Sequence, residues 1–275
     1  MRKLFMIMIT FAIMLFTSCE PIDVPEPDPD PVEPKSLIID NTCTKLDSIP
    51  VIWIDSAKLK LRIAYEHTSH GSQIVDGMNG LSKWKGDMYK GLNLNDHAIT
   101  GWSDLGSGSW DTDTRNYLSA HPEINVVMWS WCGQVSNASQ EYINTYLQKM
   151  TTLESEFPNV IFVYMTGHLD GTGESGNLNI RNEQIRDYCK LNKKVLYDFA
   201  AIESYDPDGN YFLNRGANDN CDYNGGNWAI EWQNSHEQNV HWYHCNSAHS
   251  QPLNANLKAY AAWNMWARLA GWNGR

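Results

Sequence analysis

The chain has no run of basic residues. Its 21 lysines and arginines face 32 aspartates and glutamates, a formal net charge of −11. A phosphate backbone would be repelled, which excludes nucleic acid as a partner. It also lacks an apolar stretch of the ~20 residues that span a bilayer; the run from Leu4 to Phe16 falls short. No repeat, low-complexity block or second linker divides the chain after Pro34. The remaining ~240 residues suffice for one domain with a sizeable core. No H-E-x-x-H pair occurs, so no zinc signature is expected of the histidines and no metal is assigned to them.

What is present begins with Arg2 and Lys3 ahead of the apolar run, which ends in Phe16-Thr17-Ser18-Cys19. That order is a secretory signal. It resembles a bacterial lipoprotein signal. The resemblance implies removal of residues 1–18, lipid on Cys19, and a protein exported to the cell surface or periplasmic face, held to the membrane through that anchor only. The segment 19–36 follows, with six of the eleven prolines and many acids; it predicts an extended, self-repelling tether. Residues 37–275 form the expected folded domain. Beyond Cys19 the cysteines are Cys43, Cys132, Cys189, Cys221 and Cys245. Export permits disulfides. Cys221 and Cys245 flank one polar loop and are the expected pair, and the odd total leaves at least one thiol free.

Strand-like and helix-like stretches then alternate. Leu59–Glu66, His97–Thr100, Asn125–Trp131, Val160–Met165 and Lys194–Phe199 read as five strands. Thr112–Ala120, Ala138–Phe157 and Asn177–Leu191 read as helices between them, and Asn254–Trp272 as the last, with Leu257, Ala261, Met265 and Leu269 along one face. This order predicts an α/β fold, a three-layer sandwich around a five-stranded parallel sheet of flavodoxin-like type. Ligands of such sheets bind beyond the carboxyl ends of the strands. Those ends gather His67-Thr68-Ser69-His70, Gly101-Trp102, Cys132-Gly133-Gln134 and Gly167-His168-Leu169-Asp170. A long polar loop returns the chain to Asn246-Ser247-Ala248-His249.

A serine in the turn after the first main strand and a histidine before the last helix resemble the SGNH (GDSL-like) hydrolase superfamily over residues ~59 to the end. Where that family has Gly-Asp-Ser, this chain has His67-Thr68-Ser69; where it has Asp-x-x-His, this chain has Asn246-Ser247-Ala248-His249. The resemblance implies a serine esterase needing no cofactor, acting on a glycan or other acylated substrate as a carbohydrate deacetylase. Ser69 would attack and His249 would serve as base. Gly101 and Gln134 would donate to the oxyanion. The acid is absent from its usual place, so Asn246, Asp170 or Asp198 is left to orient the imidazole. A glycan-binding protein on the same fold, without turnover, is the other reading.

Further signals remain. Ser72 is a rival nucleophile, expected instead in the first turn of a helix. His67, His70 and His249 could in principle gather a metal. Asn220, Asp222, Asn224 and Glu231 match the spacing of a calcium loop apart from the asparagine in first place. Trp84, Trp102, Trp110 and Trp228 fall in expected loops, where indoles could stack on sugar rings.

Overall fold

The computed structural model describes residues 36–106 and 108–274. The expected signal, Cys19 and nearly all of the tether lie outside them. Chain order is β1 (Leu37–Ile39), α1 (Val51–Lys60), β2 (Ile63–Glu66), α2 (Ser69–Lys85), β3 (Leu94–Asp96), α3 (Trp110–Ala120), β4 (Val126–Trp129), α4 (Gln140–Glu156), β5 (Ile161–Met165), α5 (Asn177–Leu191), β6 (Val195–Tyr197) and α6 (Phe199–Glu203). A small hairpin of β7 (Asp222–Tyr223) and β8 (Gly226–Asn227) follows, then α7 (Trp228–Ser235) and α8 (Pro252–Leu269).

The protein is α/β with one parallel sheet in the order β1-β6-β5-β4-β2-β3. Six strands stand where five are expected. The extra one is β1, whose three residues pair with β6 at the edge; so short a segment carries no periodicity. Leu59 and Lys60 belong to α1, because the chain leaves that helix only at Leu61. The second main strand is Leu94–Asp96 instead of His97–Thr100. His97 has φ +53°, a left-handed value that ends a strand.

Every residue of β2 and β4 is buried, as a parallel sheet covered on both faces requires. Helices α1 and α2 each pack on α8, and α3 packs on α4, which packs on α5. The close approach of α2 to α8 depends on Gly77: a Cβ there would stand 2.1 Å from the Ala255 carbonyl oxygen. Helix α8 is buried all round and not along one stripe, and it carries Lys258 inside at 0 % exposure. Such a charge survives inside only when paired. Its ammonium meets Glu203 of α6 and the side-chain oxygen of Gln73 in α2. Glu203 also accepts from the Leu169 amide at 2.8 Å, and Gln73 donates to the Ala248 carbonyl at 2.5 Å. The ionic knot thereby ties down the loops that carry His168 and His249. Among the described residues no helix is long and apolar enough to cross a membrane.

Candidate functional site

From β2 the chain moves outward to β3 and then returns to β4 on the other side of β2. In open α/β sheets such a reversal is where ligands bind, beyond the carboxyl ends of the strands. Helix α2 opens there, with Thr68 before it held through its amide and hydroxyl by Asp104 at 2.9 and 2.8 Å. Its first two residues are Ser69 and His70. Beyond β4 comes Cys132. The Cys132 sulfur lies 3.3 Å from His70 Nδ1 and 3.9 Å from the Ser69 hydroxyl. His70 Nε2 meets an Asp219 carboxylate oxygen at 3.0 Å. The His70 ring is sandwiched between those of His168, parallel at 3.7 Å, and His249 at 4.6 Å.

Burial depresses the His70 pKa below its ordinary value, and the hydrogen bond to Asp219 opposes this only in part. Burial also acts against ionised Asp219, but the hydrogen bond from His70 and the neighbouring imidazoles outweigh it and hold its carboxyl below the usual range. Near neutral pH the pair is therefore a neutral imidazole beside a carboxylate. A carboxylate only accepts, so Nε2 carries the hydrogen and Nδ1 presents its lone pair to the thiol. In His168, Nδ1 donates to the Leu169 carbonyl at 2.9 Å, while Nε2 is buried with no partner.

The structure brings Ser69 and His249 to one place, but no hydrogen bond joins them among the described residues. His249 is exposed with φ +60°. The Gly101 amide points to the buried Glu66 carboxylate at 3.3 Å, which also gathers the amides of Ile99, Thr100 and Ser103. That amide is thus not free for an oxyanion. Gln134 turns its carbonyl oxygen to the Cys132 amide at 2.8 Å, leaving only its NH₂ as a donor. Asp198 is engaged elsewhere, in a two-pronged ion pair with Arg186 at 2.6 and 2.8 Å. Asp170 closes a turn on Thr172, and Asn246 is exposed. None of the three is hydrogen-bonded to His249. Ser72 lies in the first turn of α2 and donates to the Ser69 carbonyl at 2.7 Å.

Other expectations are corrected. Cys221 and Cys245 are both free. Cys221 faces the Ser250 hydroxyl at 3.5 Å, and Cys245 faces the Pro252 carbonyl at 3.8 Å and the Asn256 amide at 3.4 Å. The polar loop is held by side-chain hydrogen bonds instead. The calcium-type pattern folds as the β7–β8 hairpin: both Asp222 oxygens accept from amides, of Asn220 at 2.9 Å and Asn227 at 2.8 Å, while Glu231 accepts from Tyr223. Trp110 and Trp228 open helices and are buried, Trp84 packs on Tyr243, and only Trp102 of the four is well exposed, at 64 %.

His70, His168 and Asp219 bring ligand-type atoms within 4.8 Å of one another, as do His67, Asp96 and His97. In the first group the two imidazole planes are parallel to within 3°, so their in-plane lone pairs run side by side and do not converge on one ion. In the second, both nitrogens of His67 already meet oxygens, Thr68 O and Asp96, at 2.7 Å. Asp219 is the site residue that sequence reasoning missed. It lies inside the long loop among Asn218 and Asn220, where only convergence in space distinguishes it. The strand-end rule places His70, Cys132 and His168 on the rim, but gives none of them a role in proton transfer or attack.

The chain matches no family model and no curated protein. The fold and site together define an α/β protein with a thiol, a hydroxyl and an imidazole–carboxylate couple gathered at the reversal point of a parallel sheet.

Proposed function

We propose that this protein is an exported, lipid-anchored hydrolase of acyl esters on the SGNH plan, a carbohydrate esterase that releases acyl groups from a glycan. The observation that carries the reading is the meeting of nucleophilic side chains at the start of α2 with the His70–Asp219 couple. A neutral imidazole oriented by a carboxylate takes the proton of a hydroxyl or thiol as it attacks a carbonyl. The open amides of the first turn of α2 replace Gly101 as oxyanion donors, since the first N–H groups of a helix have no acceptor within it. The exposed Trp102, whose ring lies 4.9 Å from that of His97, offers a sugar ring a flat apolar face beside the site.

Release of p-nitrophenol from its acetate, and of acetate from acetylated xylan, tests the reading. Turnover that disappears in Asp219→Asn is the expected result; no release from any aryl ester or acetylated glycan overturns it. The missing Ser69–His249 hydrogen bond favours a second reading, glycan binding without turnover. In that case tryptophan fluorescence would change on glycan addition while no acid is released. The anchor is tested separately: Cys19→Ala should leave the membrane fraction, and a variant that stays there removes the lipid from the proposal.

A further inference from the structure

We infer that Cys132, and not Ser69, is the nucleophile of this site, with His70 as its base and Asp219 as the positioning residue that orients His70. The substrate class rests on the hydrolase reading above; the activated thiol does not. Among the described residues Cys132 is the cysteine whose sulfur meets an imidazole, at 3.3 Å. Ser69 has no such base: among the described residues the Cys132 sulfur, at 3.9 Å, is the one side chain within hydrogen-bonding reach of its hydroxyl. The other thiols are inert by comparison. Burial raises the pKa of Cys43 and Cys189, and pushes Cys221 and Cys245 up to about 12, which keeps them protonated.

A second observation points to a ligand at the same place. His168 is 9 % exposed and stacked on His70, and its Nε2 is a buried acceptor without a donor. Leaving such an atom unpaired is unfavourable, because it has lost water and gained no donor in exchange. An attacking water or a hydroxyl of the substrate would satisfy it.

The chemistry balances without a co-reactant beyond water. The sulfur forms a bond to the carbonyl carbon as the thiol proton passes to His70 Nδ1. The tetrahedral adduct collapses, the carbon–oxygen bond to the alcohol breaks, and that oxygen takes the proton back. Water then attacks the thioester, giving a proton to Nδ1. The carbon–sulfur bond breaks, and the sulfur recovers the proton.

Two measurements on the folded chain test this. The first needs no substrate: iodoacetamide labelling at pH 7, read by peptide mass mapping. Cys132 should label at least ~10-fold faster than Cys43, Cys189, Cys221 and Cys245, and Asp219→Asn or His70→Ala should slow it. The asparagine keeps the shape of the side chain if the alanine variant fails to fold. Equal labelling in all three proteins overturns the inference. The second traps the acyl-enzyme by acid quench during turnover of p-nitrophenyl acetate. An acetyl group on Cys132, with turnover reduced ~10³-fold or more in Cys132→Ala, is the expected result. An acetyl group on Ser69 overturns the inference and leaves the hydrolase reading standing. Fast, His70-dependent labelling of Cys132 without ester turnover leaves the activated thiol standing and removes the hydrolase.

Discussion

Two histidine–aspartate pairs stand side by side at the carboxyl end of β2, and they differ in what the second ring nitrogen meets. In His67, Nε2 meets Asp96 and Nδ1 meets the Thr68 carbonyl, each at 2.7 Å, with the ring 1 % exposed. In His70, Nε2 meets Asp219 at 3.0 Å, but Nδ1 faces a thiol at 3.3 Å. A carboxylate on one nitrogen orients either ring. Only His70 has a transferable proton in front of the other nitrogen, so only it can do acid–base work. His67 is a strut between the start of α2 and the end of β3.

The sharpest way to break this contrast is to remove each ring in turn. His70→Ala should lower ester turnover per folded molecule on the order of 10³–10⁴-fold. His67→Ala should lower stability while turnover per folded molecule persists. Equal losses of turnover, normalised to the folded fraction in urea titrations, would erase the distinction. The knot under the rim comes next. Lys258→Met strands Glu203 inside and should cost ~3–5 kcal/mol in urea unfolding, whereas Lys258→Met with Glu203→Leu should recover much of it. A double variant no better than the single one would mean that the pair itself holds the loops in place.

A smaller effect is expected at Gly77→Ala, whose Cβ meets the Ala255 carbonyl. About 1–3 kcal/mol of overpacking should appear as a lower Tm with little change at the site. The pH profile is subtler. Burial holds the folded pKa of His70 below 6.5, so turnover should rise with pH to a half-point below that value. The unfolded chain takes up its proton first as pH falls, so stability from this group is full above about 6.5 and declines below it. A half-point above 6.5 would contradict neutral His70. Smallest of all, Trp102→Ala should raise KM for a glycan ester by less than ~10-fold and leave aryl esters unaffected.

Much of this frame was readable before any coordinates. The apolar runs of β4 and β5 announce themselves, and the alternation of strand and helix dictates a parallel sheet. The rule of strand ends gathers Ser69, His70, Cys132 and His168 on one rim. Sequence spacing cannot say which atoms face one another across it. Ser69 opens α2 and His249 lies on the loop before α8, yet the nitrogen that faces a thiol is on His70, one residue on in α2. Asp219 arrives from a loop whose path depends on tertiary packing, and β1 is too short to carry a pattern. Glu66 reads as the last residue of a strand, and nothing local reveals that four loop amides converge on it.

The contacts among Gln73, Glu203 and Lys258 also bear on how such a protein can change over generations. Losing the lysine first leaves a buried carboxylate, and losing the glutamate first leaves a buried ammonium; either intermediate falls several kcal/mol below its parent. The three positions lie on α2, α6 and α8, far apart in the gene, so no single mutational event replaces them together. Descendants that keep the fold should therefore either retain both charges or have lost both, with few caught between. Across a set of relatives, positions 203 and 258 should vary as one character.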